Sequence, residues 1–180
     1  MRFAGQQIIE LDCGKCRLRS FRADDALSLA YHANNPRVAA NLRDRFPNPY
    51  TRAHAENFIR SRMDVLSDRE FVLGIEVGGD VVGAIGLVFF DDIERQTAEL
   101  GYWLGEQFWG KGIVSAAIPI FTEWTMREFR LARIFAKPFT DNIGSVRVLE
   151  KAGYACEGVL RKAAIKNGEY KDFYMFAVVR

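Results

Sequence analysis

The chain has 180 residues, of which 49% are hydrophobic, 27% charged and 13% aromatic, enough for a single domain (1–180) with a proper core. Its 25 basic residues are balanced by 23 acidic ones, a net charge of +2, which argues against a protein that coats nucleic acid. No apolar run is long enough to span a bilayer and the first residues lack the order of a signal peptide, so no membrane partner is expected. Three cysteines, an odd number, fit a reducing, cytoplasmic location.

Taken in order, Ile8–Asp12 is apolar and Cys16–Phe21 alternates with period two, so the first strand is read there. Between them, Cys13-Gly14-Lys15-Cys16 has the spacing of half a zinc site, but no second half follows, and no metal is expected. Ala26, Leu29 and Ala30 lie at helical spacing behind Asp24-Asp25, and Asn34-Asn35-Pro36 breaks that helix. A short helix Pro36–Leu42 with Pro at its first position comes next, then a loop Arg43–Tyr50. Thr51 is placed to cap a longer helix, Arg52–Leu66, with Ala55, Phe58, Ile59, Met63 and Leu66 on one face.

Strands Phe71–Val77 and Val81–Phe90 flank the turn residues Gly78-Gly79-Asp80, and strand Thr97–Leu104 follows the polar loop Asp91–Gln96. Helix Gly110–Phe129 carries a stripe of Ile113, Ala116, Ala117, Ile120, Phe121 and Trp124, with Pro119 predicted to kink it. Strand Leu131–Lys137, helix Ile143–Lys151 capped by Asp141 or Asn142 and ended by Gly153, and strands Tyr154–Leu160 and Tyr170–Val179 complete the chain. This order predicts one mixed α/β domain.

Chemistry concentrates in Glu99–Ser115, where an aromatic strand breaks at Gly105 and enters a helix through Gln107-Phe108-Trp109-Gly110-Lys111-Gly112. Glycines permit close backbone approach, and the first turn of a helix offers unpaired N–H groups at the positive end of its dipole, so this is an anion site, most simply for phosphate. The stretch is not a P-loop, lacking Gly-Lys-Ser/Thr after the required spacer. It is not a dinucleotide fingerprint either, lacking the third glycine and the downstream acid.

Several further motifs stand in order: Glu99-Leu100-Gly101-Tyr102-Trp103-Leu104, Gln107–Gly112, Asn142-x-x-Ser145, Leu149-Glu150-Lys151-Ala152-Gly153-Tyr154, Glu157–Arg161 and Asn167–Asp172. On these the chain resembles the GNAT N-acetyltransferase superfamily, and within it the bacterial branch of ribosomal-protein N-terminal alanine and serine acetyltransferases. The resemblance implies an α+β fold whose mixed, mostly antiparallel sheet, with helices on both faces, splays between its fourth and fifth strands. It also implies acetyl-CoA as co-substrate, its pantetheine arm paired with strand backbone at Trp103 and Leu104. Its pyrophosphate would rest on Gln107, Phe108, Gly110, Lys111, Gly112 and Ile113, with Asn142 and Ser145 also contacting the cofactor. Lys111 is either a cationic contact to it or solvent-facing.

The implied reaction is direct acetyl transfer to a primary amine, of a protein N-terminus or a small molecule, in a ternary complex. Glu99 is the candidate to take the amine proton, or else a strand-end acid paired with an arginine. A backbone N–H near Leu104 is the oxyanion donor, and Ser145, one turn after Asn142, is the candidate, with water as the alternative, to give the thiolate a proton or a hydrogen bond. Asn142 also suits a plain helix cap. The chain departs from the family at Leu149, where many relatives carry a tyrosine acid, and at Ala164, in the region where the ribosomal-protein enzymes carry a glutamate. These departures keep a catalytically weak acyl-CoA-binding module as an alternative. The acceptor pocket is expected between Ala23–Leu42, the Arg43–Tyr50 loop and the final hairpin, in a monomer or homodimer.

Overall fold

The computed structural model describes residues 8–63 and 69–180. Its elements are β1 (Glu10–Asp12), β2 (Arg17–Arg19), α1 (Ala26–Ala33), α2 (Pro36–Ala39), α3 (Arg52–Met63), β3 (Glu70–Val77), β4 (Asp80–Phe89), β5 (Thr97–Leu104), α4 (Ile113–Glu128), β6 (Arg133–Ala136), α5 (Ile143–Lys151), β7 (Ala155–Lys166) and β8 (Glu169–Val179). The strands form one sheet in the order β1-β2-β3-β4-β5-β6-β8-β7, antiparallel throughout except for the β5–β6 pair.

Helices cover both faces, because alternate strand residues point to opposite sides. On one face Val72, Val81, Ala84 and Trp103 meet Leu29 and Ala33 of α1 and Ala55 and Ile59 of α3. On the other, Leu73, Ile85, Leu87 and Leu100 meet Ile113, Ala117, Ile118 and Phe121 of α4 and Leu149 of α5. A buried ion cluster fastens the start of α1 to the sheet edge. Arg19 of β2, 3% exposed, donates to both carboxylate oxygens of Asp25 at 2.8 and 2.7 Å and also binds Glu76 of β3.

Several element boundaries depart from expectation. The first strand is a hairpin, β1 and β2, folded at Cys13–Cys16, where the Cys13 N–H donates to the Cys16 carbonyl at 2.9 Å. Helix α2 stops at Ala39, short of Leu42, and α4 starts at Ile113 rather than Gly110. Its buried stripe is rotated: Val114, Ile118, Thr125 and Met126 face inward while Ile120 is 40% exposed, because α4 packs against both the sheet and the neighbouring α5 and buries a wider arc. The helix runs unbroken through Pro119, whose ring faces solvent. Strand β7 extends to Lys166 because pairing with β8 resumes at Ala164 after a bulge at 161–163, where the Asp172 carboxylate accepts the Lys162 N–H at 2.7 Å. Leu66 and the side chain of Met63 lie outside the described residues.

Pairing between β5 and β6 covers only Thr97, Ala98 and Glu99. Beyond Glu99 the two strands part while β5 stays on β4 as far as Leu104. With the first expected strand counted as two, this is the expected splay. Gly83 permits the close β4–β5 approach there: a Cβ on it would stand 2.3 Å from the Trp103 carbonyl oxygen.

Candidate functional site

The site follows from how β5 spends its backbone. Gly105 donates to the Val82 carbonyl at 2.8 Å, and Gly83 faces Leu104. By antiparallel alternation, Glu99, Gly101, Trp103 and Gly105 therefore bond to β4, whereas Tyr102 and Leu104 turn their N–H and C=O groups toward the splay. The Trp109 indole N–H takes the Leu104 carbonyl at 2.7 Å, leaving the Leu104 N–H as a donor directed into the gap. Trp103, expected to contribute backbone there, instead points its backbone at β4 and its ring at Phe46, 5.7 Å away.

After β5 a single 3-10 turn, Glu106–Phe108, leads to Gly110 and Gly112, at φ 71° and 74°. Gly112 is the N-cap of α4 in the left-handed region, which a β-carbon would disfavour. The first turn of α4 has no intrahelical acceptors for its N–H groups. Gln107 and Phe108 are braced by His32 of α1: Gln107 Nε2 stands 3.4 Å from its Nδ1, and the Phe108 ring is 5.3 Å from the imidazole. A Cβ on Gly105 would lie 2.9 Å from the same Nδ1. Burial pushes the His32 pKa below its ordinary value, with Asp80 opposing. Sequence reasoning passed over His32, since nothing near it in the chain marks it. The Lys111 ammonium lies over the Phe108 ring, 5.3 Å from its centre.

Across the splay, the Asn142 side chain caps α5 by accepting the Ser145 N–H at 3.2 Å. Ser145 Oγ is 2.6 Å from the hydroxyl of Tyr102, so a hydrogen bond bridges β5 and α5. Burial pushes the Tyr102 phenol up to about 12, with the Ser145 bond opposing. The period-two position of Tyr102 shows its face but not that its hydroxyl reaches α5. Leu149 is fully buried in the core, away from any acid role.

Glu99, 16% exposed, lies where β5 and β6 part and is held from both sides, by Arg43 at 2.8 Å and Lys137 at 3.5 Å. Arg43 belongs to the loop after α2, where Lys166 of β7 also docks, on the Leu42 carbonyl at 2.9 Å and the Asp44 carboxylate at 2.7 Å. Beside that contact, the end of α2 and the β7–β8 hairpin enclose an open cleft of about 290 Å³, lined by Asn41, Phe139, Asp141, Lys166 and Lys171. Ala164 pairs with Lys171. Among the described residues no helix is long and apolar enough to cross a membrane, and no group of three or more His, Cys, Asp or Glu residues is arranged to hold a metal.

A parallel pair that opens beside a glycine-capped helix defines the architecture of this site. The family model of the acetyltransferase (GNAT) domain matches residues 15–155, and the chain belongs to that family. It is 36% identical over 114 residues to the protein named Probable N-acetyltransferase YjcK of Bacillus subtilis, covering 62% of this chain and 63% of that one. It is also 36% identical over 95 residues to the ribosomal-protein-serine acetyltransferase of Escherichia coli, covering 52% and 53%. These alignments span less than two thirds of either relative. The solved microcin C7 self-immunity acetyltransferase MccE, in complex with acetyl-CoA and AMP, superposes with a TM-score of 0.81 at 26% identity over 93% of each chain.

Proposed function

We propose that the chain is an N-acetyltransferase that takes its acetyl group from acetyl-CoA and passes it directly to a primary amine. The observation that carries this reading is the loss of β5–β6 pairing beyond Glu99, with the glycine-capped start of α4 at the end of the exposed edge. A single extended ligand can add to that edge and end its anionic part on the helix start. The residues fit such a ligand: Tyr102 and Leu104 offer backbone groups, and the left-handed glycines leave space that side chains would fill.

Bound acetyl-CoA supplies an activated acetyl thioester. The Leu104 N–H is the donor for the oxyanion that develops at the acetyl carbonyl. Ser145 is the hydrogen-bond donor to the leaving thiolate, and Tyr102 orients it through the bond between the two hydroxyls: when the phenol is the donor of that bond, the serine hydrogen is free to point into the splay. Glu99 takes the amine proton, directly or through water. Arg43 sits on an exposed loop, and an exposed ion pair is worth only about 0–1 kcal/mol, so an incoming ammonium can take its place at the carboxylate.

The acceptor approaches from the cleft between α2 and the β7–β8 hairpin, which residues 42–44 join to Glu99. Its open, mixed-charge walls suit an extended protein N-terminus, in line with the relative that acetylates a ribosomal protein. A small-molecule amine is the other class. Thiol release from acetyl-CoA against a panel of N-terminal peptides, amino acids and polyamines tests the proposal. Release dependent on one amine class is the expected result. Acetyl-CoA binding without turnover on any amine would instead make the chain a binding module.

A further inference from the structure

The Cys13–Cys16 turn lies against the glycine loop. Lys15 Nζ donates to the Lys111 carbonyl at 3.1 Å, across 96 residues of chain, and a Cβ on Gly112 would stand 3.0 Å from the same nitrogen. The turn is well braced. Cys13 N–H bonds the Cys16 carbonyl at 2.9 Å, Lys15 N–H the Cys13 carbonyl at 2.8 Å, and Gly14 N–H the Asp12 carboxylate at 2.8 Å. Both thiols are buried in the α4-side core, and the Cys13 Sγ donates to the Leu11 carbonyl at 3.8 Å. The cysteine pair thus works as a small apolar anchor that sets Lys15 at the mouth of the loop.

Two lysines are near this loop, and they differ in where their charge is. Lys111, which lies within it, has its ammonium over the Phe108 ring. Lys15, from the sheet edge, has its ammonium at Gly112, and no carboxylate among the described residues forms an ion pair with it. A lysine ammonium is a compact charge on a flexible stem, able to exchange a neutral carbonyl for a charged acceptor close by. Such charge-assisted bonds are roughly twice as strong as neutral ones.

We propose that Lys15, carried by the β1–β2 turn, is the cation that binds the diphosphate of acetyl-CoA at the Gly110–Ile113 loop. This rests on the reading of that loop as the diphosphate cradle. On binding, Nζ leaves the Lys111 carbonyl for a diphosphate oxygen, adding its charge to the positive end of α4. The Cys13-Gly14-Lys15-Cys16 motif then serves cofactor binding rather than metal binding.

Calorimetric titration of CoA and of 3′-dephospho-CoA into wild type, Lys15→Met and Lys15→Arg, at low salt and at about 1 M salt, tests this. Methionine keeps the aliphatic stem and removes the charge. Lys15→Met is expected to weaken both ligands equally, about fivefold to tenfold at low salt and less at high salt, with Lys15→Arg near wild type. Gly112→Glu is the control for the cradle, with Lys111→Glu as its substitute if the glutamate at 112 prevents folding. Unchanged CoA affinity in Lys15→Met, with the cradle control impaired, overturns the role of Lys15 alone. A loss that vanishes for 3′-dephospho-CoA, or that ignores salt, also overturns it: the first points to the 3′-phosphate, the second to a merely structural tie. Wild-type affinity in the folded cradle control overturns the cradle itself, and the proposal with it.

Discussion

Glu99→Gln separates a proton acceptor from an ion-pair anchor. The carboxylate is held by Arg43 at 2.8 Å, itself 63% exposed, and by Lys137 at the longer distance of 3.5 Å. A pair with an exposed partner such as Arg43 contributes about 0–1 kcal/mol, and a glutamine of the same shape still accepts one hydrogen bond from the half-buried Lys137 side. The stability loss should therefore stay near 1 kcal/mol, a fall of roughly 2–4 °C in Tm for a chain of this size. A lost proton acceptor is far costlier, about 10²- to 10⁴-fold in kcat. Acetyl-CoA affinity should hold, since the ion-pair partners of Glu99 are Arg43 and Lys137 rather than groups of the glycine loop. Arg43→Ala should act in the opposite sense, keeping or raising kcat/KM for the amine, because the carboxylate no longer has to exchange a guanidinium for the substrate. Initial rates of thiol release across amine concentrations, with urea unfolding on the same proteins, provide the measurement. A kcat for Glu99→Gln within about threefold of wild type would refute the acid–base role and leave Glu99 as an anchor.

Three further outcomes are expected. Tyr102→Phe should lower kcat about tenfold with little change in KM for acetyl-CoA, and Tyr102→Phe with Ser145→Ala should lose no more than Ser145→Ala alone, because the phenol acts through the serine. Asp25→Ala leaves Arg19 buried with Glu76 and the Ser20 carbonyl but without its bidentate carboxylate, and should cost about 3–5 kcal/mol, read as a Tm fall of roughly 6–20 °C. His32 has a folded pKa below its unfolded value near 6.5, so the unfolded chain takes up the proton first as pH falls. Its contribution to stability is present above about pH 6.5 and is lost as pH falls through the folded value; His32→Gln should flatten that decline in urea midpoints between about pH 7 and about pH 5.

Much of the fold was legible because its signals are local. The bounds of β5 and α5 follow from period-two and 3.6-residue patterning with flanking glycines and a capping Asn142, all set by backbone stereochemistry within a few residues. Gly110 and Gly112 announced a loop that only residues without a β-carbon enter readily. Where boundaries slipped, a nonlocal contact had intervened: the bulge that extends β7 is closed by Asp172 from β8, and the turn that splits the first strand gains its packing from the core beneath α4. The motif resemblance named the family because its residues lie in order along the chain, which a sequence displays directly.

What only the tertiary structure decided is which side chains meet. Arg43 and Glu99 are 56 residues apart, Tyr102 and Ser145 are 43 apart, and Lys15 and the Lys111 carbonyl are 96 apart. Each pair joins elements whose relative placement is set by burying two helix layers against one sheet, and no local pattern encodes that distance. The residue types at the site are therefore written in the sequence, whereas their partners are products of packing. For Lys15 in particular, a motif that locally resembles half a metal site becomes, once the sheet closes, a cation at the start of α4.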